Sequence, residues 1–82
     1  MNRQYHDLKI MPEYFNAIVE GKKNFEVRYN DRGFQVNDIL RLREHTGEAY
    51  TGRVIEAEVT YLLNDKNYCK EGYVVMAIKL IS

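Results

Sequence analysis

Gly21-Lys22-Lys23-Asn24-Phe25-Glu26-Val27-Arg28-Tyr29-Asn30-Asp31-Arg32-Gly33 is the stretch in which the chain changes its period. Before it, Met11, Tyr14, Phe15, Ile18 and Val19 recur at helical spacing, while Glu13 and Asn16 fall away from that apolar stripe. Pro12 suits a first helical turn, because its φ is preset and its missing N–H would find no partner there. Gly21 reads as the stop, since glycine tolerates the left-handed conformation that closes a helix. The spacing therefore predicts one short helix of about two turns. Inside the stretch the period becomes two. Phe25, Val27 and Tyr29 alternate with Asn24, Glu26, Arg28 and Asn30, which predicts a strand with its apolar side chains buried and its polar ones outside.

Working outward, Tyr5 to Ile10 reads as a first strand, with Leu8 and Ile10 alternating with His6, Asp7 and Lys9. Downstream, Asn30 to Gly33 has turn chemistry, and a second turn follows at Asn37-Asp38. A strand near Ile39 to Glu44 sets Leu40 and Leu42 against Arg41 and Arg43. Thr46-Gly47-Glu48 closes a hairpin into a long strand from Tyr50 to Leu62, on which Ile55, Ala57, Val59 and Tyr61 share one face. Asn64 to Gly72 is a polar loop, and Tyr73 to Ile81 an apolar last strand. The expectation is α+β: five or six mostly antiparallel strands curled into a small barrel, with one short helix after the first strand. So few twisted strands cover their own core best by closing.

At 82 residues the chain is expected to be one domain, residues 1–82, because two halves would each be too small to bury a core. Hydrophobic residues are 45% and charged residues 29%, a globular balance that excludes a disordered tail. Twelve Lys and Arg against twelve Asp and Glu give zero net charge, which excludes the global basic field of a non-specific nucleic-acid coat but not a local patch. Cys69 is the lone cysteine; Lys66 and Lys70 flank it in a polar loop, but no histidine is placed to make it a nucleophile. His6 and His45 are too few and too scattered to argue for a metal, and no cofactor is called for. No apolar run approaches the roughly 20 residues of a membrane span, and the start is not signal-like, so a cytoplasmic monomer is expected.

Chemistry concentrates in the opening stretch. Strand periodicity puts Glu26 and Arg28 on one face within reach of each other, with Lys23 at the strand mouth and Asn30, Asp31 and Arg32 in the adjoining turn. Arg offers a planar fork of donors, Lys a point charge, and Glu an acceptor or proton-transfer group, a set suited to an anionic or polar planar ligand. On pattern alone a solvated face of paired charges is the commoner outcome. Lys22, Arg41 and Arg43, with Arg32 and Arg53, could extend a basic patch along a nucleic-acid backbone, or else balance Glu44, Glu56 and Glu58. Of the seven tyrosines, Tyr50 and Tyr68 lie nearest loops and are the candidates for base stacking; the rest are expected in the barrel with the phenol reaching water.

Gly21-x-Lys23-x-x-Glu26-x-Arg28 resembles the G-x-K-x-x-E-x-R signature of ASCH domains, small β-barrels of the PUA-like superfamily. His6-x-Leu8-Lys9, the apolar helix, Asn30 to Asp38 and Tyr50-Thr51-Gly52 extend the likeness to a small bacterial and phage subfamily of undefined function, domain of unknown function 3850. The resemblance implies a cleft between barrel and helix that takes RNA or a nucleotide, with Lys23, Glu26 and Arg28 as pocket residues. A related branch hydrolyses the acetyl amide of N4-acetylcytidine with the motif Lys and a Thr at the place where this chain has Glu26. An amidohydrolase would therefore have to use Lys23 and Glu26 as an acid/base pair acting on water. A protein-interaction face is the third alternative.

Overall fold

The structure, a computed structural model, describes residues 3–81. Its elements follow in the order β1 (Tyr5–Ile10), α1 (Pro12–Val19), β2 (Phe25–Tyr29), β3 (Ile39–His45), β4 (Tyr50–Leu63) and β5 (Tyr73–Leu80). They form one five-stranded sheet of order β1-β3-β4-β5-β2. Only β1 with β3 is parallel, Tyr5 lying opposite Ile39 and Ile10 opposite Glu44; the other three pairings are antiparallel. The expected α+β class holds, with five strands curled into a half-barrel and one short helix after the first strand.

β1 and β2 are the two edges of this sheet, and side chains rather than main chain join them. Arg28 Nη2 on β2 donates to the Lys9 carbonyl at 2.5 Å, and Arg32 Nη1 in the following turn donates to the Asp7 carbonyl at 2.7 Å. The curl thus brings the edges within one arginine length of each other and leaves a seam.

The core fills the concave side. Leu8 and Ile10, Leu40 and Leu42, Ile55, Ala57 and Val59, and Val74, Met76 and Ile78 point inward from β1, β3, β4 and β5, and Phe34 joins from the loop after β2. From α1 only Phe15 and Ile18 are buried; Met11, Tyr14 and Val19, expected on the same stripe, are exposed. A helix this short can offer the core only one turn's pair of residues, three apart. Each fully buried aliphatic side chain contributes roughly 1.5–3 kcal/mol, so β3, β4 and β5 carry most of the stability.

Several expected faces are corrected. His6 lies inside with Leu8 and Ile10, hydrogen-bonded through Nε2 to Asp38 Oδ2 at 2.9 Å. Tyr61 does not share a face with Ile55, Ala57 and Val59: the register shifts between Val59 and Tyr61, so Leu62 turns to the core and Tyr61 is 66% exposed. Tyr5, Tyr29, Tyr61 and Tyr73 lie on strands of the half-barrel and Tyr14 on the helix; all but Tyr73 are exposed, as are Tyr50 and Tyr68. The main reversal is on β2, where Phe25, Val27 and Tyr29 are 43%, 51% and 57% exposed and Glu26 is buried. This strand turns its charges inward.

Candidate functional site

The site is built where α1 ends and β2 begins. Gly21, at φ 78°, closes the helix with a pair of hydrogen bonds, its own N–H to the Ile18 carbonyl and the Lys22 N–H to the Ala17 carbonyl. That closure reverses the chain within two residues and brings Lys22 and Lys23 alongside β2. Lys23 Nζ then donates to the Phe25 carbonyl at 2.7 Å and to Glu26 Oε1 at 2.5 Å. It also lies 4.9 Å from the centre of the Phe25 ring and 5.6 Å from that of Tyr14, where the π-faces favour a cation. Arg28 Nε takes the other carboxylate oxygen, Glu26 Oε2, at 2.8 Å. Glu26, 4% exposed, therefore sits between two cations, the arrangement that lets a carboxylate be buried without an uncompensated charge.

These residues border an open cleft of about 640 Å³ that follows the seam. That is the volume of an ordinary small-molecule site. Lys9 and Ile10 at the end of β1 form one side, Met11 and Tyr14 of the helix start form the roof, and Lys22, Lys23 and Phe25 to Arg28 form the other side. Four cationic residues line it against the single carboxylate of Glu26, in a chain whose net charge is zero. Lys23 and Arg28 are fixed by Glu26. Lys22 is exposed and pairs only with Glu20 at 3.2 Å, while the Lys9 side chain forms no ion pair among the described residues. The cleft thus combines two cations anchored on Glu26, two that Glu26 does not hold, and two aromatic residues.

Among the expected site residues, Lys22, Lys23, Glu26 and Arg28 come together here. Asn30, Asp31 and Arg32 do not line the cleft. The Asn30 Oδ1 accepts the Phe34 N–H and shapes the turn, Asp31 lies 3.9 Å from Arg32 Nε on the surface, and Arg32 stitches the seam. Lys9, Met11 and Tyr14 were missed. Met11 and Tyr14 carried a signal, as members of an apolar stripe too wide for so short a helix to bury.

The expected basic patch splits in two. Arg41 is held by Glu56 at 3.1 Å and by Asp7 at 3.8 Å, as charge balance predicts, whereas Arg43 forms no ion pair among the described residues. Arg53 reaches buried Glu44 at 3.5 Å, and Thr51 Oγ1 donates to the same carboxylate at 2.7 Å. No threonine hydroxyl borders the cleft among the described residues. Away from it, Asp38 accepts the N–H groups of Gln4 and Gln35 as well as His6. Burial raises the Asp38 pKa, but the His6 hydrogen bond, the two backbone bonds and the His6 charge outweigh it and leave the carboxyl below its ordinary value. No helix among the described residues is long and apolar enough to cross a membrane.

Fold and cleft together define a class: a small α+β half-barrel whose unclosed seam holds a cationic, aromatic-walled cleft. The sequence comparisons make it particular. Residues 5–78 match the family described as Domain of unknown function (DUF3850). The chain is also 34% identical over 76 residues to an uncharacterized 12.9 kDa protein in the GpA 3′ region of Escherichia phage P2, a match covering 93% of this chain and 69% of that protein. The chain belongs to this family of unknown function.

Proposed function

We propose that the protein is a cytoplasmic, monomeric binding module that takes RNA or a nucleotide in the seam cleft, as an ASCH-like member of the PUA-like superfamily. One observation carries the reading: four cationic and two aromatic residues line one cleft of a chain with no net charge. Anionic phosphate supplies the complement to the cations, and a planar base the complement to Tyr14 and Phe25. In this reading Lys9 and Lys22, whose ammonium groups Glu26 does not hold, meet phosphate. Lys23 and Arg28 orient the ligand, and Glu26 fixes both of them from beneath.

Titration of nucleosides, nucleotides and short RNAs, followed by NMR, tests it. Shifts centred on Lys23, Glu26 and Arg28, an affinity that falls as salt rises, and weakening in Glu26→Gln are expected. Salt-independent binding, or none across the panel, overturns it. A hydrolase acting on an acylated nucleoside is the second reading, and it rests on the direct Lys23–Glu26 contact beside the cleft. Turnover that survives Lys23→Ala removes that mechanism.

A further inference from the structure

The outward face shared by β1 and β3 changes character along its length. At one end Arg41 is neutralised by Asp7 and Glu56 and lies 5.8 Å from the centre of the Tyr5 ring. At the other end Arg43 is the register partner of Lys9, the residue that borders the cleft. Neighbouring strands are about 4.8 Å apart, so the two cations are adjacent. The Arg43 guanidinium stacks 4.1 Å over the Tyr50 ring, and His45 meets the same ring edge-on at 4.7 Å. The nearest carboxylate in the sequence, Glu44, is turned inward and taken by Thr51 and Arg53. Lys9, Arg43 and Tyr50 therefore continue the chemistry of the cleft, cation followed by aromatic ring, onto the open surface.

We infer that this face is the exit path of a polymer: the cleft ligand is a single-stranded nucleic acid of more than one nucleotide. A phosphate beyond the cleft crosses Lys9 and Arg43, and the following base stacks at Tyr50. This rests on the nucleic-acid reading of the cleft. A cation stacked on an aromatic ring keeps its edge N–H groups available to phosphate, which an ion-paired arginine such as Arg41 does not. The structural alternative is that the Arg43–Tyr50–His45 stack only fastens the hairpin between β3 and β4.

The test compares a mononucleotide with a single-stranded RNA octamer on the whole chain, for wild type, Lys23→Met, Arg43→Gln, Tyr50→Leu and Tyr50→Phe, with melting curves as the control for folding. The octamer should bind wild type at least tenfold more tightly than the mononucleotide. Tyr50→Leu should cut the ratio of the two affinities about tenfold, with Tyr50→Phe restoring it, because stacking needs the ring and not the hydroxyl. Arg43→Gln should reduce the octamer's salt slope by about one. Equal affinities for the two ligands, or a ratio unmoved by Tyr50→Leu and Arg43→Gln while Lys23→Met weakens both ligands, overturns the exit path and leaves the cleft reading standing. Indifference of both ligands to Lys23→Met overturns the cleft reading, and this inference with it.

Discussion

On β3, Leu40 and Leu42 point into the core and Arg41 and Arg43 point out, whereas on β2 Glu26 points in and Phe25, Val27 and Tyr29 point out. The two strands have the same alternating pattern and opposite orientation. Neighbours explain the difference. β3 lies between β1 and β4, where an inward charge at the positions of Leu40 or Leu42 would face apolar Leu8, Ile55 and Ala57; its inward carboxylate, Glu44, sits near the strand's end, where Thr51 and Arg53 compensate it. β2 lies at the seam, where Lys23 and Arg28 compensate an inward carboxylate and an open cleft keeps them in reach of water. Apolar burial is therefore concentrated in one wall, and the compensated charges that border the cleft in the other.

The largest expected effect is at the inverted strand. Glu26→Ala leaves two cations facing each other and should cost about 3–5 kcal/mol in denaturant unfolding. Replacing the trio together (Lys23→Met, Glu26→Leu, Arg28→Met) should recover most of that loss while abolishing ligand binding. If the triple variant is as unstable as the single one, the charges are structural and the contrast between the walls disappears. In the other wall, Leu42→Ala should cost about 2–5 kcal/mol through the cavity it leaves, with binding preserved in the folded fraction.

A smaller effect concerns pH. The folded Asp38 pKa lies below its ordinary value, so the stability it contributes is complete above the ordinary carboxylate range and is lost as pH falls through the folded value. Unfolding measured from pH 5 down to pH 2 should show this limb in wild type, and Asp38→Asn should flatten it. An unchanged limb would assign acid sensitivity to other carboxylates. The smallest effect belongs to the outer face of β2: Val27→Thr should change stability by no more than about 0.5 kcal/mol. A loss as large as that of Leu42→Ala would mean that something covers this face in solution.

Much of the fold was legible because it depends on local signals. Pro12, Gly21 and the two periodicities place α1 and the strands to within a residue or so. What stayed hidden was direction. A period of two sorts β2 into two faces but does not say which one is inside, since that depends on a seam between elements distant in sequence. Tyr61 was misplaced for a related reason: one register shift reverses every side chain beyond it, and nothing in Val59-Thr60-Tyr61 marks the shift. Lys23, Glu26 and Arg28 could be found because they lie within six residues of each other, whereas Lys9 joins them only through the curl of the sheet.

The arginine stitches at the seam have a consequence for how the molecule behaves in a crowd. The carbonyls of Asp7 and Lys9 lie on an exposed strand edge, the kind of surface on which a second chain can add its own strand. Arg32 and Arg28 already occupy them. The same two side chains that hold the edges together thus deny those acceptors to an incoming strand, a protection that main-chain closure would have given automatically. Light scattering of the Arg28→Ala, Arg32→Ala double variant at rising concentration should reveal it, as assembly that the wild-type protein at the same concentration does not show.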